Sequence, residues 1–91
     1  MSRDFNAIAD AVVDGAGMLR EAAPKPMEAF GALGKATYAE GALTPGTKEL
    51  IAMAIAVTVR CDGCVGYHAR AAYQRGATRE QRAEALAVAV H

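Results

Sequence analysis

Apolar residues recur every three or four positions through most of this chain, and the recurrence is punctuated by proline and glycine. Phe5, Ile8, Ala9, Val12, Val13, Ala16 and Leu19 make one stripe, with Asp10, Asp14 and Arg20 on other faces. That spacing predicts a helix over about residues 4–20. Residues 21–26 read as a break, because Pro24 and Pro26 stop a helix, and Pro26 suits the first turn of the next. A second helix is expected over about 26–40, with Met27, Phe30, Leu33, Gly34, Thr37 and Tyr38 facing inward as core. Gly41 follows its last periodic residue, where a C-terminal glycine belongs. Thr44 then Pro45 is an N-cap followed by proline at the first helical position, the start signal of a third helix over about 45–60. That helix is apolar nearly all round from residue 50 to 59, which predicts a buried element. Its β-branched residues would also suit a strand, but the cap, the length and the alternating alanines favour helix.

A fourth helix is expected over about 62–75, ending at Gly76. Gly66 inside it loses ~1 kcal/mol against alanine, so another group is expected to approach closely there. Thr78 to Gln81 forms a capping box for a fifth helix. That helix still reads as helix at His91, with no C-cap and no polar tail, so it is expected to be incomplete. The pattern describes one all-α domain over residues 1–91, an antiparallel helical bundle.

Composition adds an expectation about assembly. Alanine accounts for 22 of the 91 residues, so the apolar side chains are small and bury little area each. A chain of this length sits near the lower limit for a self-sufficient core. It is expected to form a homo-oligomer. Net charge is zero, with no basic patch and no Trp, which speaks against nucleic-acid and polybasic membrane partners. The longest apolar run, 50–59, is too short to span a bilayer, and no signal peptide is evident. Two cysteines are too few for a secreted disulfide scaffold. A cytoplasmic setting is expected.

The candidate chemistry lies in Cys61-Asp62-Gly63-Cys64-Val65-Gly66-Tyr67-His68. On a helix, residues at i, i+3 and i+7 share a face. Cα atoms three apart are ~5 Å from each other, inside the range that a disulfide bridges. His68 lies one turn beyond Cys64, within reach of its sulfur. A first-turn position, an imidazole and Arg60 all favour a thiolate. Asp62 is a good N-cap, although its charge opposes a thiolate beside it. Two other readings stay open: inert core cysteines, and a zinc site, which would have three ligands and lack a fourth.

Glu49 joins this group if the third and fourth helices form an antiparallel hairpin turning near residue 61. At 1.5 Å per residue, Glu49 lies ~18 Å down one arm and His68 ~10–12 Å down the other. Axes ~8–10 Å apart then leave the two side chains within reach. Glu49, His68, Cys64 and Cys61 would form a line of carboxylate, imidazole, nucleophile and second thiol. A first-turn glutamate favoured by the helix dipole is the alternative.

Three segments carry a family resemblance: residues 43–51 (Leu43 to Ile51, containing Thr44-Pro45 and Lys48-Glu49), Cys61-x-x-Cys64-x-x-x-His68, and Gly76-Ala77-Thr78-Arg79-Glu80. Over roughly residues 27–91 the chain resembles the alkylhydroperoxidase D-like branch of the carboxymuconolactone decarboxylase superfamily. The resemblance implies an all-helical, commonly trimeric or hexameric protein. It implies a CxxC pair that reduces peroxides or passes disulfides, with a dithiol as reductant and no bound cofactor. It carries proton-relay roles onto Glu49 and His68, the peroxide-attacking role onto Cys64 and the resolving role onto Cys61. Cys61, nearer the helix end, is expected to be the more solvent-exposed thiol. The peroxidase prototype has a further histidine just before the second cysteine, where this chain has Gly63. A decarboxylase-type lyase using His68 and Glu49 as acid and base, and a non-catalytic oligomeric binding protein, remain as alternatives.

Overall fold

The computed structural model describes residues 3–91, and the described residues form five α-helices and no strand. In order they are α1 (Phe5–Ala22), α2 (Pro24–Thr37), α3 (Pro45–Thr58), α4 (Asp62–Gln74) and α5 (Arg79–Val90). None is long and apolar enough to cross a membrane.

The predicted starts rest on visible caps. The Thr44 hydroxyl accepts from the Thr47 N–H at 3.2 Å, with Pro45 in the first turn of α3. At α5 both halves of the capping box form: Gln81 N–H to Thr78 Oγ1 at 3.1 Å, and Thr78 N–H to Gln81 Oε1 at 2.8 Å. The first break is narrower than its prolines suggest. Ala23 alone separates α1 from α2, and both prolines sit in the first turn of α2. First-turn N–H groups have no partner within a helix, so proline sacrifices nothing there. The end of α2 also differs from expectation, falling at Thr37. Lys48 on α3 donates to the Thr37 carbonyl at 2.9 Å and the Ala39 carbonyl at 2.6 Å, where further helical N–H groups would have bonded. Gly41 therefore lies in the connecting turn, beyond the cap.

α3 and α4 form the predicted antiparallel hairpin, and two similar turns close its helices. After α3, Cys61 N–H reaches Ala56 O at 3.1 Å and Arg60 N–H reaches Val57 O at 3.2 Å. After α4, Ala77 N–H reaches Ala72 O at 2.9 Å and Gly76 N–H reaches Tyr73 O at 3.1 Å. Both are paired 6→1 and 5→2 bonds around a left-handed residue. That residue is Gly76 at φ 86° in one turn and Arg60 at φ 60° in the other. At the open end of the hairpin, a Cβ on Gly46 would stand 3.1 Å from the Arg75 carbonyl oxygen.

α1 lies across the other side of α4. The close approach expected at Gly66 is present: a Cβ there would meet the Phe5 carbonyl oxygen at 2.8 Å and the Ala9 nitrogen at 3.4 Å. One turn earlier, a Cβ on Gly63 would touch Val12 Cγ2 at 3.0 Å. Arg70 ties the two helices by an ion pair to Asp10 at 2.9 Å and a hydrogen bond to the Asn6 carbonyl at 3.0 Å.

The core is small. Its apolar members are Ala9, Met53, Ala56, Ala72 and Ala77. Two expectations of burial fail in the single chain. Phe30 and Leu33 on α2 are 67% and 64% exposed, and on α3 Ile51 and Ile55 are 46% and 57% exposed. α2 packs on α1 alone among the helices, and α3 has more apolar faces than its neighbours α4 and α5 can cover. The chain is a slab of 39 × 39 × 21 Å. Its accessible surface is 6704 Å², against about 5,000 Å² expected for a folded monomer of this mass.

Candidate functional site

Cys61 and Cys64 meet at the start of α4. Both are free, and their sulfurs are 2.6 Å apart. Cys61 is the helix N-cap: it is extended (φ −99°, ψ 97°), and its sulfur accepts the Cys64 backbone N–H at 3.3 Å. Asp62, expected as the cap, instead occupies the first helical turn, because the extended residue is Cys61. Its carboxylate pairs with Arg3 at 3.2 Å, which offsets its charge near the thiols.

The electrostatics of the pair are unequal. The hydrogen bond from the Cys64 thiol, then that from the Cys64 N–H, lower the Cys61 pKa, outweighing burial and the Asp62 charge. The Cys64 thiol is raised because its proton is held by Cys61, with burial and the Cys61 charge adding to the effect. The two thiols are therefore coupled, with the downward shift on Cys61 and the upward shift on Cys64. Exposure also differs from expectation: Cys64 is exposed and Cys61 half-buried. The cap explains this, since the Cys61 sulfur must turn back over the helix end to accept from the backbone.

Glu49 and His68 form the second pair. Glu49 is 4% exposed, the one charged residue buried among those described. Its Oε2 lies 2.8 Å from His68 Nδ1. With the carboxylate ionised, Nδ1 carries the proton and donates, which leaves Nε2 as a free lone pair. The ring sits between two tyrosines. Tyr38 stacks on it at 6.0 Å between centroids and 29° between planes; Tyr67 meets it edge-on at 5.2 Å and 88°. Burial, then the charges of Glu49 and Tyr67, raise the Tyr38 pKa, so its hydroxyl keeps its proton. Neither tyrosine stands out in the sequence as a site residue. Tyr67 adjoins His68 and offered a signal, but Tyr38 reads as helix-packing surface.

The four residues singled out from the sequence therefore gather as two pairs. Among the described residues no hydrogen bond joins His68 to either sulfur, and no three His, Cys, Asp or Glu side chains converge as a metal-binding group would. Arg60 sits at the rim beside Cys61. With Arg3, Phe5, Val57, Asp62 and Val65 it lines an open cavity of about 370 Å³.

Residues 24–91 match the carboxymuconolactone decarboxylase family. The chain belongs to that family. Its fold is that of a family member from Legionella pneumophila, whose crystal structure in the apo form superposes with a TM-score of 0.89 at 39% identity, over 98% of this chain and 80% of that one. Among curated proteins it is 47% identical over 72 residues to an uncharacterized protein of Cupriavidus necator, which covers 79% of this chain and 64% of that protein. It is 47% identical over 62 residues to uncharacterized protein 4 in the cox locus of Paracoccus denitrificans, covering 68% of this chain and 56% of that protein. The chain thus spans between half and two thirds of the length of the curated relatives it matches.

Proposed function

We propose that this family member is a thiol-dependent peroxidase or disulfide oxidoreductase that cycles Cys61 and Cys64 between dithiol and disulfide. The observation that carries the reading is the pair of free sulfurs 2.6 Å apart at a helix start, within the same hairpin as a buried Glu49–His68 pair. His68 Nε2 takes the proton of the exposed Cys64 thiol. The thiolate attacks a peroxide oxygen, the O–O bond breaks, and the leaving alkoxide recovers the proton from the imidazolium. Cys64 is then a sulfenic acid. The Cys61 sulfur attacks it, the S–O bond breaks, and hydroxide leaves with a proton as water. An external dithiol reduces the resulting disulfide. The lowered pKa of Cys61 suits the thiol that must attack Cys64 second. Glu49 holds the imidazole tautomer and offsets its positive charge. The same lowered pKa favours a second reading, in which Cys61 attacks first.

A homo-oligomer, trimeric or hexameric, accompanies this proposal. The surface excess is roughly 1,700 Å², and a standard interface takes about 800 Å² from each partner. The excess fits a subunit with two neighbours, as in a ring of three. Light scattering at micromolar concentration should give a mass of three or more chains; a monomer would refute it. A reducing compartment such as the cytoplasm would supply the dithiol.

The deciding experiment is peroxide consumption with a dithiol donor. Cys64→Ser should abolish it. Cys61→Ser should react once, leaving a sulfenic acid that a dimedone-type probe labels on Cys64. His68→Ala should slow that single turnover strongly and Glu49→Gln less. Label on Cys61 in the Cys64→Ser protein would reverse the roles. An inert wild type, with neither variant labelled, would end the peroxidase reading.

A further inference from the structure

Near its start α3 carries Lys48 and Glu49 side by side, about 100° apart around the helix. Glu49 turns toward α4 and binds His68 Nδ1. Lys48 turns the other way, toward the end of α2. Its ammonium donates to the carbonyls of Thr37 and Ala39, at 2.9 and 2.6 Å. Those carbonyls stand on either side of Tyr38, the C-cap of α2. Terminal carbonyls of a helix have no partner within it, and the dipole makes that end attractive to a cation. Lys48 is half-buried and satisfies two acceptors at once, so it fixes the backbone that carries the Tyr38 side chain. The Tyr38 ring lies on His68 at 6.0 Å and 29°.

No other helix packs on α2 except α1, and none of its residues is buried. The end of α2 therefore has little packing to locate it over the site. The Lys48 clamp is the polar link among the described residues that joins the α2 terminus to α3.

We infer that Lys48 is a positioning residue for His68: by clamping the α2 terminus it holds Tyr38 against one face of the imidazole, while Glu49 holds its Nδ1. The two neighbours on one helical turn fix the ring in two ways, one its tautomer and in-plane direction, the other its tilt. The inference rests on the proposed function only for what the imidazole then does; the placement of the ring stands apart from it.

The test follows the ring directly. The protein has two histidines, so labelling histidine and comparing with His91→Gln assigns the His68 ring protons by NMR. Tyr38→Leu removes a ring current and should shift them. Lys48→Met should reproduce most of that shift, and Lys48→Arg, which can also donate to two carbonyls, should restore wild-type positions. Lys48→Gln keeps a donor and should fall between them; it serves if Lys48→Met fails to fold. Glu49→Gln should instead change the Nδ1–H signal. In the single turnover of Cys61→Ser with peroxide, adding Lys48→Met should slow the reaction by about 10- to 100-fold, the scale for sub-ångström to ångström misplacement. His68 shifts that stay at wild-type values in folded Lys48→Met, while Tyr38→Leu moves them, would overturn the inference. An inert wild type would remove the peroxidase reading and leave the NMR result to decide this one.

Discussion

Gly66→Ala tests whether α1 is seated by the approach of two backbones. In an open helix interior, alanine for glycine stabilises by about 0.5–1 kcal/mol, through propensity and unfolded-state entropy. Gly17 in α1 is such a site, because a Cβ there would meet nothing within 4 Å. At Gly66 the added carbon would stand 2.8 Å from the Phe5 carbonyl oxygen, with the nitrogen and Cβ of Ala9 at 3.4 and 3.5 Å. Ordinary contact begins near 3.4 Å, so α1 must retreat by about 0.6 Å. The obstacle is helix backbone, which cannot swing aside as a flexible side chain would. Overpacking of this kind destabilises by about 1–3 kcal/mol. Gly66→Ala should therefore be about 1–3 kcal/mol less stable than Gly17→Ala, even though both gain the same propensity. For a domain of this size each kcal/mol moves Tm by about 4–8 °C. The two variants should melt at least about 4 °C apart, with Gly17→Ala at or above wild type. Calorimetry at one fixed chain concentration is the assay, so that any self-association contributes equally to both variants. Equal melting temperatures would show that α1 is not held where Gly66 permits it.

Two further outcomes can be checked. The Cys61 thiol is lowered first by the hydrogen bond from the Cys64 thiol, so its alkylation should set in below the pH of an ordinary thiol. Cys64→Ala should move that midpoint to higher pH, and Cys64→Ser, which keeps a donor, should move it less; an unchanged midpoint in Cys64→Ala would refute the coupling of the two thiols. Arg60 holds a left-handed conformation at φ 60°, which disfavours residues with a Cβ by about 1–2 kcal/mol. Arg60→Gly should match or exceed wild-type Tm, while Arg60→Val should fall by several degrees; the opposite order would place the strain elsewhere.

What could be read in the sequence was local. The caps at Thr44 and Thr78, the glycine at 76 and the tight site at Gly66 each follow from chemistry within one turn. The Glu49–His68 contact was also within reach, because two rigid helices and one turn near residue 61 fix an axial offset by arithmetic. Missed features depend on partners distant in the chain. α2 stops at Thr37 because Lys48 takes its terminal carbonyls, and no pattern in residues 26–40 shows that. Tyr38 becomes a wall of the site for the same reason. Asp62 is the better cap by residue type, but the turn after α3 leaves Cys61 as the extended residue. Apolar residues on α2 and α3 read as core in the sequence because hydrophobicity alone does not distinguish a chain's interior from an exposed apolar face.

The sulfur of Cys61 accepts the Cys64 N–H in the first turn of α4, so the atom that would change oxidation state also caps the helix end. In the proposed thiol cycle, redox state and helix fraying are then thermodynamically linked. A thiolate is a stronger acceptor than a disulfide sulfur, so forming the disulfide weakens this cap hydrogen bond while a covalent bond comes to tie Cys61 to Cys64 across the first turn. By reciprocity, a contact that steadies that turn more in one redox state than in the other, as the Arg3–Asp62 ion pair would if the turn differs between them, shifts the reduction potential of the pair. A substitution at Arg3, distant in the chain from either cysteine, would then tune the redox poise with no contact to sulfur.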